Sequence, residues 1–187
     1  MTDTSVGVDA GQRDRSELEH LLGRAVQACG PVVLVCTHLV DGHWAGSLQL
    51  SGPAPGAGPL SDALGAAVTV RTGAATTTAG PREWVTGSAQ AVAELSGRTA
   101  GRAVVFGGQQ NLVGVVDTDT VPVLSAVSEV VGIAGTPTAG TRLVTQDFVR
   151  PVLLGGRLVL QVRPIGPDGD VAPFEVPNPT PCCAAHG

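Results

Sequence analysis

Cysteine and histidine residues supply the most versatile nucleophile and base of proteins, and also their softer metal ligands. Seven of the eight such residues in this sequence fall into two short stretches. The two stretches comprise Cys29, Cys36, His38 and His43 near the start and Cys182, Cys183 and His186 at the end. We therefore expect any chemistry of the chain to lie at one of these stretches.

A β-hairpin is predicted to carry most of the first stretch. The runs PVVLVCTHLV and HWAGSLQL flank the pair Asp41-Gly42, which is typical of a two-residue type I′ turn. Such a turn places Val40 opposite His43, and the alternation of side chains along a strand then defines two faces. The predicted core face carries Val33, Val35, Leu39, Trp44, Leu48 and Leu50, and the mixed face carries Leu34, Cys36, His38, His43, Ala45, Ser47 and Gln49.

Cys36, His38 and His43 share the mixed face, and this indicates a metal site. Residues two apart on a strand lie roughly 6.5–7 Å apart at Cα and point the same way, so a thiolate and an imidazole can converge on one ion. His43 is diagonal to His38, which would be the central ligand. The alternative is a half-exposed polar face with a helix resting on it. A catalytic version of the hypothesis pairs a Cys36 thiolate with His38, although the sequence places no carboxylate beside that histidine.

The group Cys182-Cys183-x-x-His186 at the end of the chain suits Zn, Cu(I) or a transferred sulfur. Its spacing matches no standard zinc-finger or redox signature. Docked against the first stretch, it would complete a closed Cys/His site from two halves. The alternative is a disordered end that happens to be rich in thiols.

Two weaker candidates lie in the middle of the chain. The Gly/Thr segment 73–80 is expected to be a loop, in which Thr76, Thr77 and Thr78 could cradle a phosphate, although a plain connection explains it more simply. Asp117 and Asp119 could hold Mg²⁺, but capping of a following helix explains Asp119 more simply.

Composition excludes several classes of function. All eleven basic residues are arginine and no tyrosine is present, so mechanisms that need a catalytic lysine or tyrosine are excluded. A net charge of −5 without a basic cluster argues against nucleic-acid binding. No apolar run is long enough to span a membrane, and the polar start is unlike a secretory signal, so we expect a cytoplasmic protein with free thiols.

The remaining pattern predicts one mixed α/β domain. A helix is expected from Ser16 to Gly30, and Glu19 completes a capping box at its start. Cys29 lies on the apolar stripe of this helix. We predict an α+β fold in which a central, largely antiparallel sheet with β-hairpins packs against three to four helices. Residues 1–14 are predicted to be a flexible tail, 15–176 the globular domain and 177–187 a proline-stiffened Cys/His tail. The opening helix followed by a tight hairpin resembles small sensor folds of the profilin-like or GAF type.

The function predicted from these observations is metal or thiol binding by Cys36, His38, His43, Cys182, Cys183 and His186. The ion would be soft or borderline, such as Zn or Cu, and the role sensing, storage or trafficking. One alternative is a small-molecule-binding regulatory domain of GAF-like type with incidental cysteines, and another is an enzyme dependent on Cys36 and His38. Expected partners are a metal ion or small molecule and a second copy in a homodimer, with no nucleic acid and no membrane.

Overall fold

A computed structural model describes residues 4–133, 135 and 137–177. The chain forms two compact units, Met1–Gly107 with Val152–Arg157 and Gly108–Pro151 with Leu158–Gly187. Its elements in chain order are β1 (Thr4–Gln12), α1 (Arg15–Cys29), β2 (Val32–Val40), β3 (His43–Leu50), α2 (Ala57–Leu64), β4 (Ala67–Thr72), β5 (Ala75–Ala79), α3 (Arg82–Gly97), β6 (Arg102–Phe106), β7 (Val115–Asp117), α4 (Val121–Leu124), β8 (Glu129–Gly132), β9 (Arg142–Val144), β10 (Val152–Leu154), β11 (Arg157–Pro164) and β12 (Val171–Pro173). The predicted mixed α+β class is confirmed, whereas the resemblance to profilin-like or GAF folds and the end of the globular domain at residue 176 stay predictions.

The sheet of the first unit has the strand order β5-β4-β1-β3-β2-β6-β10. Its central strand β1 lies between β3 and β4 and is antiparallel to both. The prediction of a flexible tail is therefore wrong for residues 4–12. The segment alternates small or polar residues with Val6 and Val8, which are fully buried, and this period of two is what a strand between two packed faces requires.

The β2–β3 hairpin forms as predicted. Asp41 and Gly42 both have positive φ, 46° and 81°, as a type I′ turn demands. Val40 pairs with His43, so the expected register is confirmed. The predicted core face is only partly right, because Val33 is 46% and Leu39 62% exposed. A register shift between Val32 and Leu34 turns the intervening Val33 away from the core, as a β-bulge does.

One face of this sheet is apolar and is covered by α1 and α2. Sixteen buried residues form its core: Val6, Val8, Leu18, Leu21, Leu22, Ala25, Cys29, Val35, Leu48, Leu50, Ala57, Leu60, Leu64, Ala66, Val68 and Val70. Cys29 is thus buried among apolar neighbours, in the stripe where its helical spacing placed it. The N-cap of α1 is Asp14, two residues before the predicted Ser16, and its carboxylate accepts the Ser16 backbone N–H at 2.7 Å. Hydrogen bonds from the Ser16 hydroxyl and then its N–H lower the pKa of Asp14.

The opposite face is covered by α3, which runs antiparallel to β1 at close range. Trp84 meets Gly11 at one end of the contact, and at the other end the Ser96 hydroxyl donates to that of Ser5. Between them a Cβ on Gly7 would overlap the backbone oxygen of Ser88. Glycine is therefore required at position 7 for the helix backbone to lie directly on the strand.

The second unit has its own strand pairings. β11 pairs antiparallel with β12 and parallel with β8, and β9 joins β12 to β7. β11 and β12 are joined by residues 165–170 and form a hairpin. The buried apolar residues of the second unit include Leu112, Val121, Val127, Leu143, Val149, Leu158, Leu160, Val162 and Val171.

The Gly/Thr segment is a strand where a loop was predicted. Thr76, Thr77 and Thr78 lie in β5, the edge strand of the first unit, and pair with residues 69–71 of β4. Threonine's branched Cβ favours this extended conformation. The backbone of Thr76, Thr77 and Thr78 therefore pairs with β4 and does not form the phosphate-binding loop considered above. Among the described residues, no helix is both long and apolar enough to cross a membrane.

Substitution of Gly7 tests the close contact of α3 with β1. We expect Gly7→Ala to lower the free energy of unfolding by about 1–3 kcal/mol, because the methyl group overlaps backbone that cannot yield. The matched control is Gly23→Ala in α1, where a Cβ meets nothing within 4 Å, and which should stabilise by about 0.5–1 kcal/mol. Urea denaturation of both variants measures the difference, and equal effects would contradict the proposed packing.

Candidate functional site

A buried polar layer lies between α3 and the sheet. Its fully or nearly fully buried polar residues on the strands are Ser5, Asp9, His38, Ser47 and Thr69, and Ser88 meets them from the helix. The Thr69 and Ser88 hydroxyls are 2.8 Å apart. This polar side contrasts with the apolar face under α1 and α2, although both belong to one sheet.

His38 is held at both ring nitrogens. Nδ1 lies 2.7 Å from the Glu94 carboxylate of α3, and Nε2 lies 2.7 Å from the Ser47 hydroxyl of β3. A neutral ring satisfies both contacts, with Nδ1–H donating to the carboxylate and Nε2 accepting from the hydroxyl. Burial lowers the pKa of His38, and the hydrogen bond and charge of Glu94 partly oppose that shift. The histidine is therefore uncharged near neutral pH.

Ser47, His38 and Glu94 have the order and contacts of a hydrolytic triad. The Ser47 side chain is fully buried, however, with 0% of the residue exposed. A substrate cannot reach its oxygen while α3 is in place, so in this conformation the three residues act as a structural hydrogen-bond network.

Cys36 lies next to His38 on the same face, as predicted, but it is not an activated thiol. Burial raises the pKa of Cys36 to about 12, with a small opposing effect from the Arg98 guanidinium. The backbone of Gly101 packs against both residues, since a Cβ there would lie 2.8 Å from His38 Cε1 and 3.2 Å from Cys36 Cβ. A protonated thiol in this position does not support the predicted Cys36–His38 nucleophile.

Among the described residues, the predicted metal ligands do not form a metal site. Within 4–133, 135 and 137–177, no group of three or more His, Cys, Asp and Glu is placed to hold a metal ion. His38 already uses both of its nitrogens, and His43 is directed to a different carboxylate. Cys182, Cys183 and His186 lie outside the described residues, so metal binding through them stays a prediction.

His43 forms a second histidine–carboxylate pair at the end of the polar layer. Its Nε2–H donates to Asp9 Oδ2 at 2.8 Å, and the other carboxylate oxygen accepts the Gly11 N–H at 2.8 Å. A register shift in β1 after Val8 directs the carboxylate toward the histidine, as bulges commonly do. A Cβ at Gly87 would overlap Asp9 Oδ2, so α3 leaves space for this pair.

Of the two histidines, only His43 reaches the surface. Its side chain is 14% exposed and that of Asp9 is 0% exposed. The Trp84 ring lies edge-on to the imidazole with centroids 5.0 Å apart. Nδ1 of His43 has no hydrogen-bond partner among the residues described. A buried carboxylate on one ring nitrogen fixes the orientation of the ring and leaves the other nitrogen able to accept a proton or a ligand hydrogen bond.

Sequence reasoning found the histidines but missed both carboxylates. Glu94 lies in α3 next to the buried Leu95, and Asp9 lies in the segment that is predicted to be a tail. The alternation of small or polar residues with Val6 and Val8 indicates a strand, and it was the one local signal that could have placed Asp9 in the sheet. Comparison with protein-family models, with curated proteins and with solved structures found no match to this chain.

The lowered pKa of His38 predicts that acid destabilises the first unit. The unfolded chain takes up a proton on this residue below about pH 6.5 while the folded chain does not, so stability falls as the pH drops from there through the folded pKa. One such proton contributes a slope of at most about 1.4 kcal/mol per pH unit. Urea denaturation between pH 7.5 and 5 should show a shallower slope for His38→Gln. An identical slope in both proteins would contradict the assignment.

The raised pKa of Cys36 predicts an inert thiol. In a Cys182→Ser/Cys183→Ser background, we expect native protein at pH 7.5 to react with iodoacetamide at Cys36 at least about 100-fold more slowly than unfolded protein, because the thiolate is the reactive form. Mass spectrometry of the digested protein reports each site separately, and Cys29 provides an internal buried control. Rapid alkylation confined to Cys36 would restore the hypothesis of a cysteine nucleophile.

Proposed function

We propose that the first unit is a small-molecule-binding regulatory module in which α3 is the moving element. The ligand would recognise the polar sheet face beneath α3, entering at the end where His43 and Trp84 lie. The observation that carries this proposal is the buried polar layer with its two histidine–carboxylate pairs. Helix displacement on binding would be the regulatory output.

The weak apolar attachment of α3 supports this role. Of its residues, only Ala91, Val92 and Leu95 are buried hydrophobic ones. Its other inward contacts are those of the Trp84 ring with Gly11 and His43 and hydrogen bonds. Each hydrogen bond contributes only about 0.5–1.5 kcal/mol net, because water competes for the same groups. By contrast, α1 and α2 contribute to a continuous apolar core. We therefore expect α3 to separate from the sheet at lower free energy than the rest of the unit.

The chemistry of the layer supports a polar ligand. Apolar residues of similar volume commonly stabilise an interface as well as buried polar or ionic pairs do, so two histidine–carboxylate pairs under one helix are not needed for folding. Once α3 moves, the face offers imidazoles, hydroxyls and a carboxylate on a rigid sheet. His43 Nδ1 is available at the rim even before that movement, and the edge of the Trp84 ring flanks it.

Hydrogen exchange measures the mobility of α3 directly. We expect the slowest amides of α3 to exchange through openings that need at least about 2 kcal/mol less than those of β1 and β3, because local units open below the global free energy. Glu94→Gln should increase α3 exchange by about tenfold, since it removes the charge from the hydrogen bond that joins α3 to the buried His38. The control Asp62→Asn, on the exposed side of α2, should change nothing. Exchange of α3 only by global unfolding would overturn the proposal.

Ligand recognition can be tested with Trp84 as the reporter. In a Trp44→Phe background, Trp84 is the one remaining tryptophan, and amino acids, nucleosides, sugars and organic acids can be screened by its fluorescence. A ligand that binds at this face should change α3 exchange and should lose affinity in His43→Gln. A ligand that binds while leaving both properties unaltered would argue for a site elsewhere.

A further inference from the structure

The outer side of β5 is an open strand edge of the first unit. Among the described residues, β5 pairs with β4 alone and stands at the end of the strand order. Ala75, Thr76, Thr77 and Thr78 are all exposed, so the strand is accessible from both of its faces. Such an edge presents backbone donors and acceptors that can pair with another strand.

The turn between β4 and β5 sets the hydrogen-bonding pattern of the ladder. Gly73 and Ala74 connect Thr72 to its partner Ala75. The φ of Gly73 is positive, at 58°, as the first central residue of a type II′ turn requires. A two-residue hairpin of this kind closes on a hydrogen-bonded pair, which here is Thr72 with Ala75.

Thr76 and Thr78 direct their backbone groups away from the sheet. Hydrogen-bonded and non-hydrogen-bonded pairs alternate along an antiparallel ladder, and the pairing of residues 75–79 with β4 has no register shift. Counting from Ala75, the residues bonded to β4 are 75, 77 and 79. The edge therefore offers two N–H donors and two C=O acceptors, which belong to Thr76 and Thr78.

β5 lacks the features with which proteins commonly protect an edge. Charged side chains, proline and β-bulges are the usual devices. The segment from Thr72 to Pro81 contains no charged residue, and residues 75–79 contain no proline. The ladder with β4 contains no bulge. The edge is thus neutral, regular and open to a second strand.

The edge is complementary to its own copy. Residues 75–79 read Ala-Thr-Thr-Thr-Ala, which is the same in both directions. A two-fold axis at Thr77 places Thr76 opposite Thr78 of a second copy, so the outward donors and acceptors meet in four hydrogen bonds. Groups near a two-fold axis face their own counterparts, and a neutral edge has no charge that would repel its copy there.

We propose that two copies of the chain pair antiparallel through β5, with Thr77 at the two-fold axis. The Thr77 side chains then face each other in a non-hydrogen-bonded pair, where side chains approach most closely and threonine pairs stabilise the strands. Five residues of each copy form the contact, fewer than the roughly 20–30 of a standard interface. The dimer is therefore weak, with a Kd on the order of 100 µM. It is independent of the function proposed for α3.

Sedimentation equilibrium of the full chain tests the dimer. A phosphine reductant in the buffer prevents association through disulfides. The mean mass should rise from that of a monomer at about 10 µM chain toward that of a dimer at about 1 mM. A mass that stays monomeric over this range overturns the proposal, and it would also do so if another segment of the chain occupied the edge.

Proline substitutions distinguish the outward from the inward backbone groups. Thr78→Pro removes an outward N–H, so it should weaken dimerisation at least about tenfold. It should keep the fold, because an edge strand tolerates proline where the N–H faces solvent. Thr77→Pro removes an N–H that bonds to β4 and should lower the melting temperature. Undiminished dimerisation of Thr78→Pro would contradict the proposed pairing.

A charge at the axis gives a test that leaves the backbone unaltered. Thr77→Arg brings two guanidinium groups together and should weaken the dimer at least about tenfold, because like charges directly opposite each other destabilise a strand pair. The matched control is Thr99→Arg, at an exposed position beyond the other end of α3, which should dimerise as the unaltered chain does. Equal effects of the two substitutions would place the contact elsewhere.

Disulfide cross-linking locates the axis. In a Cys182→Ser/Cys183→Ser background, Thr77→Cys should form a covalent dimer with oxidised glutathione, because opposite residues of a non-hydrogen-bonded pair lie about 4.5 Å apart at Cα. Thr76→Cys is the matched control. Its counterpart is a diagonal neighbour about 7–8 Å away, which is too far for a disulfide. Cross-linking that is faster at residue 76 than at residue 77 would overturn the proposed register.

Discussion

The contact between α3 and the first unit's sheet depends on how closely the helix backbone approaches β1. Gly7 and Gly87 both lack the Cβ that would separate the two elements. At this distance Glu94 reaches His38 and the Ser88 hydroxyl reaches that of Thr69, while the Asp9–His43 pair of the sheet lies beneath the first turns of the helix. A small displacement of the helix would leave several buried donors and acceptors without partners at once, and each would then lose the full value of its hydrogen bond. The interface is therefore close to all-or-none.

The two faces of the same sheet carry different requirements. Under α1 and α2 the apolar core is non-directional and tolerates small shifts in packing. Under α3 the hydrogen bonds demand one geometry, and they contribute less net stability for the area that they bury. Such an arrangement gives a fold in which one side keeps the domain together and the other is specific and separable. This difference is the physical basis for assigning movement to α3 and not to α1.

The sequence predicts the local features well and the long-range partners poorly. Asp41-Gly42 determines the hairpin register through its backbone angles alone, and the pleat then places Cys36, His38 and His43 on one face. The carboxylates that define their roles lie 56 residues away for His38 and 34 for His43, so no local spacing could reveal them. The polar start of the sequence predicts a tail at β1, where Ser5, Gly7 and Asp9 are small or polar. Those same properties are what a strand under a closely packed helix requires.

The burial of the two histidines decides which of them can meet a ligand first. His38 is enclosed and has no free ring nitrogen, so it can change partners only after α3 has moved. His43 lies at the rim with Nδ1 unpaired by the described residues, and its Asp9 partner is buried while α3 is in place. If the first unit binds a ligand as proposed, a molecule that engages His43 would bind before the helix moves and gain further contacts as it does. This order would favour a ligand that shifts an equilibrium of α3 over one that must wait for full opening.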